Sequence, residues 1–142
     1  MAKLAVIMVR GIIRATEETK NTLRSLHLER QNYCTVVEDN AHYKGMLVRA
    51  KDYITWGEID DATYKALVEK RGEEYKGRLA DSKKKIEYSK SFTEGSKTLK
   101  KYFRLSPPRK GYGKRGIKAT FKDGGAFGYR GAKINDLVQR ML

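Results

Sequence analysis

The run Leu4-Ala5-Val6-Ile7-Met8-Val9 is apolar at every position. Successive side chains of a strand point to opposite faces, so a strand open to water on one side alternates polar and apolar residues. A run without alternation predicts a strand that is central, or covered on both faces. Arg10 and Gly11 end it. The run is far too short to span a bilayer, which takes about 20 apolar residues, and it lacks the flanks of a signal peptide.

Elements with a helical period follow. Thr16 is an N-cap with Glu17 and Glu18 behind it, at the positive end of a helix dipole. Thr19, Leu23 and Leu26 then share one helical face. Tyr33 to Glu38 is rich in β-formers and predicts a second strand. Asp39 or Asn40 caps a helix whose Tyr43, Met46, Leu47 and Ala50 make the cleanest apolar stripe in the chain. Gly45 within it lowers helix propensity, which points to a packing or close-approach requirement. Ile54 to Ile59 forms a third strand with Ile54 and Trp56 on one face. Asp60 caps a further helix that carries Tyr64, Leu67 and Val68 and stops at Gly72. The fold class is α+β, a two-layer β-α-β-α-β sandwich, because two amphipathic helices need one sheet face to bury them.

Charge divides the chain of 142 residues and net charge +14. Residues 1–72, the sandwich core, carry 12 basic and 10 acidic side chains. Residues 73–142, the extension, carry 19 and 7. From Gly95 to Lys122 there are ten Lys or Arg and no carboxylate. A solvated surface intersperses both signs, so this run is a directed field that suits a polyanion, nucleic acid first among them.

Within the extension, 73–103 predicts poorly amphipathic, exposed helices interrupted by Lys83-Lys84-Lys85, and Pro107-Pro108 stops any helix. Ile117, Ala119 and Phe121 alternate with Lys118, Thr120 and Lys122. Asp123-Gly124-Gly125 makes a turn, and Phe127 and Tyr129 form the second arm of a β-hairpin. Ile134, Leu137, Val138 and Met141 form an apolar stripe on a terminal helix, which must dock back on the core.

No constellation of catalytic residues emerges. Gly111-Tyr112-Gly113-Lys114-Arg115-Gly116 spells a dinucleotide fingerprint, but Pro-Pro-Arg-Lys precedes it where a strand is required. It suits a basic loop that approaches a phosphate backbone, and a loop with no partner is the plain alternative. His27 and His42 have no metal-spaced neighbour, and the single cysteine, Cys34, sits in a strand as a small hydrophobe. Asp60-Asp61 is accounted for by helix capping. No disulfide framework, multi-cysteine zinc site, cofactor or small-molecule substrate is implied, and the default compartment is the cytoplasm. Tyr102, Phe103, Tyr112, Phe121, Phe127 and Tyr129 lie in or beside the basic region. Such rings stack on unpaired bases while cations hold phosphates, although about half of them are needed to pack the extension.

Val9-Arg10-Gly11, Leu26-His27-Leu28, Thr35-Val36-Val37-Glu38-Asp39, Lys44-Gly45-Met46 and Trp56 occur in this order over residues 1 to about 60. Arg104-Leu105-Ser106-Pro107-Pro108-Arg109, Gly124-Gly125 and Gly128-Tyr129-Arg130-Gly131 follow. In these the chain resembles the universal family of large-subunit ribosomal proteins numbered thirty in bacteria and seven in eukaryotes, in its archaeal form. The resemblance implies a fold related to the ferredoxin-like one and a structural role in the large subunit. It also implies contact with the large ribosomal RNA, a place near the small RNA of that subunit, and neighbouring ribosomal proteins as partners. Eukaryotic members carry a long basic N-terminal extension ahead of the first strand, which favours the archaeal form here.

The resulting expectation is a non-catalytic protein that grips RNA by phosphate contacts. Its candidate residues are Arg10 and Arg14 at the end of the first strand, and Lys44, Arg49 and Lys51 on the second helix. In the extension they are Arg104, Arg109, Lys110, Tyr112, Lys114, Arg115, Lys118, Lys122 and Arg130. The alternative is a non-ribosomal DNA- or RNA-binding module using the same extension. A membrane-surface binder needs a basic helix with an exposed apolar stripe, which Lys83 to Ile86 lacks.

Overall fold

The first strand, β1 (Lys3–Met8), lies at the centre of a five-stranded sheet in the computed structural model of the chain, which describes residues 2–142. It pairs antiparallel with β2 (Tyr33–Glu38) on one side and β3 (Ile54–Ile59) on the other. Leu4, Val6 and Met8 point to the face covered by α1 (Glu17–Ser25) and α2 (Ala41–Arg49). There they bury with Leu23, Leu26, Leu47 and Ile54. Ala5, Ile7 and Val9 point to the opposite face, under α3 (Asp61–Arg71) and α4 (Ile134–Met141), and bury with Leu67, Leu137 and Met141. All six are 0–1 % exposed. Two covered faces are the physical reason the run has no polar position.

The β-α-β-α-β order is the one expected, and the caps form as expected. Thr16 Oγ1 accepts from the Thr19 N–H, Asn40 Oδ1 from Tyr43 N–H at 2.9 Å, and Asp60 Oδ1 from Thr63 N–H at 2.7 Å. Thr63, through its hydroxyl and its N–H, holds the Asp60 carboxyl below the usual carboxylate range.

After α3 the chain closes both edges of the three-stranded unit. β4 (Ser91–Glu94) and β5 (Lys97–Lys100) form a separate antiparallel hairpin. β6 (Phe103–Arg104) then adds to the outer side of β2, and β7 (Gly128–Tyr129) runs parallel to β3. Edge strands only two residues long leave little template for association. The segment entering α4 crosses so close to β3 that a Cβ at Gly57 would sit 2.1 Å from the Gly131 carbonyl oxygen. Only glycine fits there.

Two expectations for the extension change. Residues 73–103 are not helical. They form an irregular stretch and then the β4–β5 hairpin, because the segment has no apolar stripe to bury while Phe92 and Leu99 alternate inward across a Gly95-Ser96 turn. The hairpin is thus present in the extension, but earlier than the alternation at 117–121 suggests. Gly116–Lys118 and Phe121–Asp123 are single 3-10 turns. The Thr120 hydroxyl donates to the Asp123 carboxylate at 2.8 Å, a local closure that competes with a strand. Tyr129 pairs instead with Trp56 in β3.

Gly45 is exposed on α2, and a Cβ there would meet nothing within 4 Å. No packing inside the chain requires it. Gly45→Ala is expected to stabilise the free protein by up to about 1 kcal/mol through helix propensity and reduced unfolded-state entropy. The check is a rise of about 3 °C in thermal midpoint.

Candidate nucleic-acid interface

The glycine-rich loop is anchored at both ends. The Ser106 and Arg109 N–H groups donate to the Met141 and Arg140 carbonyls at 3.0 and 3.1 Å. Arg140 returns the contact, its Nη1 donating to the carbonyls of Arg109 and Gly111 at 3.0 and 2.6 Å. Tyr112 turns inward, packing its ring against the core and donating its hydroxyl to Asn32 Oδ1. Burial pushes that hydroxyl up to about 12. Gly113 has φ +149°, and a Cβ there would lie 2.5 Å from the Gly124 carbonyl oxygen, so the loop rests directly on the next turn. Arg109, Lys110, Lys114, Arg115, Lys118 and Lys122 are all exposed on this anchored segment. Among the described residues none of the six makes a salt bridge.

The remaining candidates are dispersed and differently partnered. Arg10 sits 5.5 Å from the Tyr53 ring centroid, while Arg14, Arg49 and Lys51 are exposed without ion pairs among the described residues. Lys44 bridges to Asp39 at 2.7 Å, and that carboxylate holds its ammonium above the usual range. Arg104 and Lys100 share Glu73. Burial raises the Glu73 carboxyl, but the two cations outweigh it and leave it below the ordinary carboxylate range. Lys44 and Arg104 therefore offer less free charge than the loop cations.

Arg130 is a correction. It is 6 % exposed, and its guanidinium spans the interior. Nε donates to Thr55 Oγ1 at 2.8 Å and Nη2 to the Ala126 carbonyl at 2.9 Å, while the Phe121 ring centroid lies 4.5 Å from Cζ. Desolvation, with help from Arg140, lowers its pKa to about 10. Its geometry fastens the Ala126–Gly131 segment to β3. Tyr112 is half-buried and turned toward the core. Of the other rings, Phe103 is fully buried and Tyr102 stacks on Tyr33 at 5.0 Å, whereas Tyr129 keeps 48 % of its surface exposed.

The sequence reading overlooked Trp56. It lies 6.2 Å from Tyr129, ring centroid to centroid, and lines a groove of about 270 Å³ with Phe121, Phe127, Lys51 and Lys122. Lys51 and Lys122 come together there although they are far apart in the chain. The signal in the sequence was a lone tryptophan on a strand whose neighbouring helix stripe is already filled.

Elsewhere the polar chemistry is quiet. Burial pushes the Cys34 thiol up to about 12, which keeps it protonated. Burial and Lys101 lower the pKa of His27. Among the described residues no three His, Cys, Asp or Glu converge as metal ligands, and no helix is long and apolar enough to cross a membrane.

A ferredoxin-related β-α-β-α-β unit, edged and backed by its own basic extension, defines a class of small basic α+β protein. The family model for ribosomal protein L30p/L7e matches residues 4–54. A large ribosomal subunit protein uL30 of Nanoarchaeum equitans is 44 % identical, the match covering all of both chains. Proteins of the same name from Methanococcus maripaludis and Methanopyrus kandleri are 41 % and 39 % identical over 97 % and 94 % of this chain. These cover 98 % and 100 % of the relatives. The chain belongs to the L30p/L7e family, in its archaeal form.

Proposed function

We propose that this chain is a structural, non-enzymatic component of the large ribosomal subunit, cytoplasmic on the ribosome, and that it binds ribosomal RNA. The relatives' names carry the first half of this reading. The observation that carries the second half is the set of six exposed cations on the anchored segment 109–122, which make no salt bridge among the described residues. Each cation that neutralises a phosphate releases counterions, so affinity comes from entropy and falls with salt. Residues 1–72 form the framework, and the extension supplies most of the grip. Arg10, Arg14, Arg49 and Lys51 add contacts from the framework. The partners are the large ribosomal RNA, the small RNA of the same subunit, and neighbouring ribosomal proteins.

The test titrates the intact protein with folded large-subunit RNA, duplex DNA and anionic vesicles at equal salt. Ribosomal RNA is expected to bind tightest, because phosphate contacts also report the shape that presents them. Equal affinity for duplex DNA would instead favour a general nucleic-acid-binding module.

A further inference from the structure

Trp56 belongs to the face of β3 that α2 covers, yet it is only half-buried, and Val48 on α2 beside it is 59 % exposed. Tyr129 stands at the sheet edge with its hydroxyl donated to Glu58, which fixes the ring without covering it. Depressions lie on both sides of this pair. One is the groove with Phe121, Phe127, Lys51 and Lys122, and the other is bounded by Lys44 and Val48. With Tyr129 48 % exposed and Trp56 only half-buried, the pair forgoes part of the burial that such rings normally supply. Buried cores do not place lysines around open rings. Surfaces that take a flat, apolar and polyanionic ligand do.

We infer that the Trp56–Tyr129 groove holds an unpaired nucleobase of RNA, stacked on the rings, with the phosphates on either side of it held by Lys51 and Lys122. The inference rests on the RNA-binding reading and deepens it, adding a stacking site for a single-stranded or bulged nucleotide to the phosphate grip of the extension. Charge complementarity selects the occupant. The rings are flanked by cations, and the carboxylates at the rim, Asp52 and Glu58, are acceptors for the amino group of a base rather than for a phosphate. A paired base inside a duplex presents no open face to stack, so the site discriminates strand state.

Trp56 is the only tryptophan, and its emission therefore reports the site alone. The experiment uses the intact protein with an adenine oligonucleotide about ten nucleotides long and with an RNA duplex of equal length. It reads both tryptophan fluorescence and the anisotropy of labelled RNA. The single strand is expected to quench Trp56 strongly, while the duplex binds with little quenching. Tyr129→Ala should weaken single-strand binding about tenfold, in line with the loss of one stacked base. It should leave duplex binding within about twofold, and Tyr129→Phe, which keeps the ring, should bind like the parent. Equal quenching by both RNAs, or single-strand binding without quenching, overturns the stacking site and leaves the phosphate grip standing. Failure of both RNAs to bind at low salt overturns the RNA-binding reading as well. The quenching comparison needs only the parent protein, so it decides the matter even if Tyr129→Ala does not fold.

Discussion

Ending the chain at Lys133 is expected to abolish the fold. Ile134, Leu137, Val138 and Met141 are each 0 % exposed, and they form the cover over Ala5, Ile7 and Val9. Full burial of such a side chain contributes about 1.5–3 kcal/mol. Four of them approach the total stability of a domain, about 5–15 kcal/mol. Loss of α4 also frees the 106–109 segment, whose N–H groups bond to Arg140 and Met141. The truncated chain should lose its cooperative thermal transition, bind a hydrophobic dye and aggregate. A cooperative transition within a few degrees of the intact protein would show that the extension is an appendage rather than a layer of the core.

Arg130→Ala is expected to be the most destabilising single charge removal. It strands the Ala126 carbonyl and deprives Thr55 Oγ1 of its donor. Thr55 keeps its bond to the Gly128 carbonyl, so the orphaned Ala126 carbonyl costs about 1–3 kcal/mol, and the lost packing of the guanidinium on Phe121 brings the total to roughly 3 kcal/mol. The thermal midpoint should fall by roughly 10 °C. Arg130→Lys should recover little, because an ammonium cannot reach a hydroxyl and a carbonyl with the spread of a guanidinium. RNA affinity measured well below both midpoints should hardly change. An unchanged midpoint with weakened RNA binding would return Arg130 to the interface, where its charge alone would put it.

What the sequence made legible was local. The apolar run at Leu4–Val9 announced a doubly covered strand, and Thr16, Asn40 and Asp60 announced their helices, because the partners of a cap lie three residues away. What stayed hidden was non-local. β6 and β7 are two residues long and exist only because β2 and β3 offer them edges. Nothing around Arg130 reveals that Thr55, 75 residues away, will accept its Nε–H hydrogen bond. The alternation at Ile117–Phe121 was real, but the Thr120–Asp123 hydrogen bond used it for a turn. The candidate cations of the loop were nameable individually, whereas the meeting of Lys51 with Lys122 around Trp56 was not.

The phosphate grip is tested most directly by the salt dependence of RNA binding. Lys114, Arg115 and Lys118 are exposed and free of salt bridges among the described residues, so replacing all three by Ala should leave the thermal midpoint nearly unchanged. If each neutralises one phosphate, the slope of log K against log[salt] should shrink by about 2 to 3 units, at roughly 0.7–0.9 per contact. Affinity should fall to a similar degree for different RNA sequences, because phosphate contacts carry no direct base information. An unchanged slope accompanied by a lowered melting temperature would contradict the account, showing that these residues hold the extension to the core and that RNA meets another face.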